Sequence, residues 1–193
     1  MLLKSTSDRY GVVALALHWT SAALILSLIP LGFAMQSAPD GLRLGLYRAH
    51  VIAGGLAGLL TLIRLLWWLA LDRKPQANHP RLQRLAAGAV HGGLYGAVLV
   101  LTFSGIGILL ASGLGAMLAS GDLSLMLADL MSLPPRLAHG LMARLLVGLL
   151  ILHVLGALYH HWIRRDGTLG RMLPVNAPGP NSARRGPPRP AAP

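Results

Sequence analysis

Four long apolar stretches, separated by short polar breaks, set the pattern of this sequence. Val12 to about Met35, Ala49 to Leu71, Leu85 to Ala111 and Leu137 to Ile163 each run past twenty residues with few charges. A helix of about 20 apolar residues crosses the roughly 30 Å hydrocarbon layer of a bilayer. Helices and closed barrels are the backbones that can do so, because each satisfies its own N–H and C=O groups. The pattern therefore predicts an all-α protein, an integral membrane four-helix bundle. The first stretch reads as a span and not a cleavable signal, being too long and lacking a small-residue cleavage site. Gln36 to Arg48 reads as a short connection, and Asp72 to Arg84 as a basic turn whose two prolines stop helices. Ser112 to Pro135 is apolar, but Gly113, Gly115, Gly121 and a Pro134-Pro135 stop leave its pieces too short to span. It reads as a loop with a short interfacial helix. From Pro174 onward Pro, Gly, Arg and Ala dominate, which predicts a disordered tail (174–193) after one membrane domain (1–173).

Composition narrows the class. The chain has 193 residues, 54% hydrophobic and 12% charged, against roughly 25% charged in soluble domains. Cysteine is absent, which excludes disulfides, thiolate metal sites and Cys-attached haem. A net charge of +11 raises the question of nucleic acid. Lys4, Arg9, Arg73, Lys74, Arg81, Arg84, Arg164, Arg165 and Arg171, however, all fall at the same end of the four spans. The positive-inside effect accounts for them, placing both termini in the cytoplasm with no nucleic-acid partner. The opposite loops hold Asp40, Asp122 and Asp129.

The candidate chemistry lies in histidines inside the spans. His139 and His153 are fourteen residues apart on one stretch. On a helix that step rises about 21 Å and returns to within roughly 40° of the same face. By depth, His50 belongs with His139 at the outer end and His18 with His153 at the inner end. Two stacked imidazole pairs between facing helices are what two bis-His haems in a bundle need. Gly54, Gly55 and Gly58 follow His50, while Gly148 and Gly156 bracket His153. These glycines leave room for a porphyrin face, or equally for close helix packing. Arg64 comes level with the inner pair and Arg144 with the outer one, each a candidate counter-ion for haem propionates, with snorkelling to the interface as the alternative. Zinc is disfavoured by the wide separation of the pairs and the lack of an accompanying Cys or acidic ligand.

The chain resembles the bacterial cytochrome b561 family of four-helix, di-haem b membrane proteins over about Tyr10 to Pro174. The likeness rests on Arg9-Tyr10, His18-Trp19, Tyr47-Arg48-Ala49-His50 with Gly54, Ile63-Arg64-Leu65, and His91 with Tyr95. It continues through His139-Gly140, His153 and His160-His161-Trp162, and ends on Arg165-Asp166-Gly167-Thr168-Leu169 and Arg171-Met172-Leu173-Pro174. The resemblance implies a bacterial inner membrane, two haem b groups on His18/His153 and His50/His139, and ubiquinone exchange near His91 and His160. One characterised relative is a superoxide oxidase, so the resemblance also implies superoxide as donor. The apolar outer loop and Arg144 depart from the family pattern where a donor would dock.

Bis-His ligation leaves no open iron position and favours outer-sphere electron transfer. Arg43, Arg48, Arg136 and Arg144 would form a positive mouth for a small anion, and His160 or His91 would supply protons to quinone. His160 could equally anchor the helix end beside Trp162. Two other functions remain open at this stage. One is a cytochrome b anchor relaying electrons between quinone and a partner dehydrogenase or hydrogenase that docks on the apolar loop. The other is a haem-free transporter or scaffold.

Overall fold

The computed structural model describes residues 2–73, 75, 80–125 and 130–173. Lys74, Asp129 and the tail 174–193 lie outside the described residues, so the disorder expected of the tail does too. Four helices are long and apolar enough to cross a membrane. They are α1 (Val12–Ser37), α2 (Asp40–Leu66), α3 (Arg81–Ala111) and α5 (Pro134–Leu158), with a short α4 (Leu114–Ser120) before the last. Among the described residues there is no strand. Two of the long helices end in π-helical turns, Trp67–Leu71 after α2 and Tyr159–Arg164 after α5.

Three boundaries differ from the sequence reading. The expected connection Gln36 to Arg48 shrinks to Ala38-Pro39, because α2 already begins at Asp40. Pro39 is extended ahead of the first turn, and Asp40 stands where an acid favours the helix dipole. Arg43 then pairs with Asp40 at 3.0 Å on the next turn. The Pro134-Pro135 pair opens α5 instead of stopping a helix. A proline in the first turn lacks only an N–H that would have no partner there anyway. Similarly, α3 starts at Arg81, directly after Pro80.

The bundle is two hairpin-like pairs. Helix α1 packs along α2, and α3 along α5, while α2 also touches α3. Small residues let the second pair approach closely. A Cβ on Gly93 would stand 3.0 Å from Leu149, and one on Gly107 would stand 3.0 Å from Pro135. Ala97, Val98 and Leu146 form the mid-bundle core, with Ile25, Leu94, Leu101 and Leu149 around it. Most other large apolar side chains in the spans face outward, as lipid contact requires, among them Leu59, Leu62, Phe103 and Ile151. By contrast α5 keeps its distance from α1 and α2. A gap between the two pairs is the feature that matters for function.

The apolar loop is a packed cap. Ser112 and Met117 are wholly buried, and Leu114 and Met117 join Ile108 in a cluster with Leu44, Tyr47 and Leu130. Arg48 donates two hydrogen bonds to the Leu118 carbonyl, at 3.1 and 2.6 Å, which fastens α4 to α2. The loop contains the expected short helix, whose Leu114 and Met117 are buried against the ends of α2 and α3, while Leu125 and Met131 stay exposed.

At the other end, Asp72 ties the chain together. Its carboxylate accepts from Ser5 N and Oγ, from Trp67 Nε1 and from Arg73 N. The N-terminal lead is thereby bound to the end of α2.

Candidate functional site

The histidines paired by depth meet across the gap. His18 on α1 and His153 on α5 have ring centres 6.4 Å apart, and His50 on α2 and His139 on α5 have theirs 6.2 Å apart. Both pairs are tilted by 59°. Each of the four rings is half-buried, neither packed in the core nor turned out to lipid. Because α5 is one continuous helix from Pro134 to Leu158, the two sites stand about 21 Å apart along it.

The outer pair is held by α3. Ser104 Oγ lies 3.1 Å from His139 Nδ1 and 3.1 Å from the Leu101 carbonyl. Its single hydrogen goes to the carbonyl, so the hydroxyl accepts from His139 Nδ1–H. Nε2 of His139 then carries the lone pair a metal needs, the arrangement by which ligating histidines are oriented. Gly105 follows, and a Cβ there would sit 3.6 Å from His139 Cε1. Opposite, a Cβ on Gly32 of α1 would sit 3.7 Å from His50 Cε1, and His50 Nδ1 is buried without a hydrogen-bond partner. Neither Ser104 nor Gly32 stood out in the sequence, since a serine and a glycine inside a span carry no local sign of what they will face.

The inner pair sits in a more polar setting. Arg64 comes level with it, as the spacing from His50 predicted, and turns inward. Its Nη2 donates to His18 Nδ1 at 2.9 Å, which leaves the hydrogen of the neutral ring on Nε2, so a metal held by Nε2 would require this bond to give way. Its Cζ is 5.5 Å from the centre of the Tyr95 ring. Its Nε is buried without a partner. A half-buried guanidinium with an unused N–H is suited to an anion. Trp19 meets His18 edge-on and donates through Nε1 to the Met172 carbonyl at 2.7 Å. The His18-Trp19 and Arg171-Met172-Leu173 motifs, far apart in sequence, thus join beside the inner pair.

The chain matches prokaryotic cytochrome b561 over residues 9–175. It belongs to that family. A relative, cytochrome b561 homolog 2 of Escherichia coli (strain K12), is 32% identical over 108 residues, covering 54% of this chain and 57% of that protein. The match thus spans little more than half of the relative's length.

Family membership implies haem b, and the residues fit it. A histidine nitrogen lies about 2.0–2.1 Å from a bound metal and the ring centre about 1.1 Å beyond, so two imidazoles on opposite sides of one ion have centres about 6.3 Å apart. The observed 6.4 and 6.2 Å match that span. His91 does not match it. Its ring centre is 5.3 Å from that of His153, edge-on, about 1 Å short of two rings on opposite sides of an iron. The glycines divide by role. Gly58 packs tightly against Thr102, whereas beside Gly54, Gly55, Gly148 and Gly156 a Cβ would meet nothing within 4 Å. Among the described residues no three His, Cys, Asp or Glu side chains converge on one point.

The remaining candidates lie at the two ends. At the outer mouth Arg43 is neutralised by Asp40 and also bonds the Ala38 carbonyl. Arg48 holds the cap, as described above. Arg136 and Arg144 remain, one turn either side of Gly140, with Nη1 atoms 3.1 and 3.9 Å from where its Cβ would be. Arg144 is exposed and, among the described residues, bonds the Gly140 carbonyl at 3.4 Å. At the inner end His160 lies in the π-helical turn beyond α5, and its Nδ1 contacts Asp166 Oδ2. Asp166 was part of the family motif in the sequence. Its contact with His160 depends on the chain folding back after the helix.

Proposed function

We propose that this chain carries electrons across a bacterial inner membrane through two haem b groups, one on His18 and His153, the other on His50 and His139. The observation that carries this reading is the pair of ring separations, each equal within about 0.1 Å to the span of a bis-imidazole iron site. When bound, the haems supply one-electron redox chemistry with no open coordination position. Arg64 would balance inner propionate charge through its spare Nε–H. Ser104 fixes the His139 tautomer. The basic residues at the end that holds both termini support a cytoplasmic placement of that end.

The donor is superoxide and the acceptor ubiquinone. Arg136 and Arg144 beside His139 attract a small anion. The burial of Met117 and the two bonds from Arg48 fold α4 onto the protein's own core, which leaves less of the apolar loop to serve as a docking face for a partner dehydrogenase. At the inner end His160 supplies protons to the quinone, with His91, exposed beside His153, as second candidate.

A pyridine haemochrome assay on the purified protein should return two haems per chain, and one or none would overturn the ligand assignment. Superoxide should reduce them, and a short-chain ubiquinone should reoxidise them. Failure of superoxide alone would remove the donor from the reading and leave the relay. A fully loaded His160→Ala protein should still be reduced but pass electrons poorly to quinone, and a wild-type rate would remove His160 from the site.

A further inference from the structure

Beyond α5 the chain turns sharply. The π-helical turn ends at Arg164, Arg165 is left-handed at φ 50°, and Gly167 has φ 76°. This reversal brings the Asp166 carboxylate against His160, with Nδ1 and Oδ2 2.5 Å apart. The other oxygen is occupied. Asp166 Oδ1 accepts from Thr168 N at 3.1 Å and from Thr168 Oγ1 at 2.6 Å. The two side chains are 18% and 23% exposed. Burial pushes the Asp166 carboxyl up, but the bonds from Thr168 and His160 outweigh it and hold it at about 2. An ionised carboxylate only accepts, so the hydrogen in this contact belongs to His160 Nδ1.

We propose that Asp166 is a positioning residue for proton delivery: it holds the Nδ1 hydrogen of His160, so that protons move to quinone and back through Nε2 alone. The proposal rests on reading His160 as the proton donor at the quinone site. Quinone takes two electrons and two protons to become quinol. In each proton transfer the Nε2–H bond of the imidazolium breaks, its electron pair stays on nitrogen, and an O–H bond forms on the quinone. His160 is left neutral with its hydrogen still on Nδ1, and Nε2 takes the next proton from water at the helix end. The two electrons would arrive singly, through a haem that His18 and His153 would hold. Asp166 stays ionised throughout and keeps the neutral ring in the one tautomer that can be recharged at Nε2, as a carboxylate does for a catalytic histidine.

A purely structural role, tying the turn through Thr168, makes a different prediction. In Asp166→Asn, Oδ1 still accepts both Thr168 bonds, so the turn is kept. The amide then presents its NH₂ to His160 Nδ1, which must accept. The neutral ring is forced to carry its hydrogen on Nε2, and giving that proton up would leave an imidazolate. Asp166→Ala loses the Thr168 bonds but leaves the ring to choose its tautomer. A positioning role makes Asn the worse variant for proton delivery, whereas a structural role makes Ala the worse.

The experiment uses the full-length, haem-loaded protein. The haems are reduced with dithionite, a short-chain ubiquinone is mixed in by stopped flow, and reoxidation is followed in H₂O and D₂O. Asp166→Asn should reoxidise roughly tenfold more slowly or worse, more slowly than Asp166→Ala, and with a larger D₂O effect than wild type. NMR of ¹⁵N-histidine-labelled protein, with His160 assigned by its loss in His160→Gln, should show the hydrogen moving from Nδ1 to Nε2 in the Asn variant. A wild-type rate in Asp166→Asn, a rate above that of Asp166→Ala, or retention of Nδ1–H would overturn the proposal. If His160→Gln itself reoxidises at the wild-type rate, the quinone-site reading falls. If His160→Gln is slow and Asp166→Asn is not, only the positioning role falls.

Discussion

Replacing His139 by alanine should strip this protein of one haem and leave the other. The structure argues that the substitution leaves the fold intact. Alanine is the best helix former for α5, and Ser104 keeps its bond to the Leu101 carbonyl at 3.1 Å, so no buried donor is orphaned. Its effect on the inner site is bounded by distance. His153 lies about 21 Å along the same helix. A unit charge at that distance, at an effective dielectric constant of 20, changes the energy by about 0.8 kcal/mol, or about 35 mV for a one-electron couple. A pyridine haemochrome assay and a redox titration read both quantities. One haem per chain is expected, with a midpoint within about 35 mV of the inner centre of the wild type. Two haems retained would refute the outer ligand assignment. So would loss of both from a protein whose circular dichroism and thermal midpoint match wild type, because two sites this far apart should not depend on each other.

Two further outcomes test the surroundings of the site. At Gly105 an added Cβ stands in ordinary contact with His139, 3.6 Å from Cε1. Gly105→Ala should keep two haems and Gly105→Leu only the inner one, a difference a haem count decides. Burial acts to raise the Asp72 carboxyl, but bonds from Ser5, Trp67 and Arg73 hold it below its ordinary value. A carboxyl depressed in the folded state contributes stability above its unfolded pKa, and the contribution is lost as pH falls through the folded one. Thermal unfolding in detergent should therefore find Asp72→Asn less stable by about 1 kcal/mol at neutral pH, with the gap to wild type closing below about pH 4. A gap independent of pH would show that the charge is not what matters.

Much of this protein was legible from its sequence because the membrane makes the controlling signals local. Span length needs only a count of apolar residues, and the shared face of His139 and His153 follows from helical repeat alone. Which rings come near each other was legible for the same reason, since four helices crossing one layer leave rise along the axis as the main variable. What needed the tertiary structure was azimuth and packing between elements. Ser104 became a partner of His139 only once α3 lay against α5, and Arg64 turned inward because the α1–α2 pair places His18 beside it. The fold accounts for part of the loop's apolarity by burying Leu114 and Met117, which hydropathy could not show, because it records that a residue avoids water without recording what covers it. At the end of α5, the π-helical turn and the left-handed Arg165 reverse the chain, and that reversal decides that His160 meets Asp166. No periodicity encodes it, because the regular helix on which periodicity rests has already ended there.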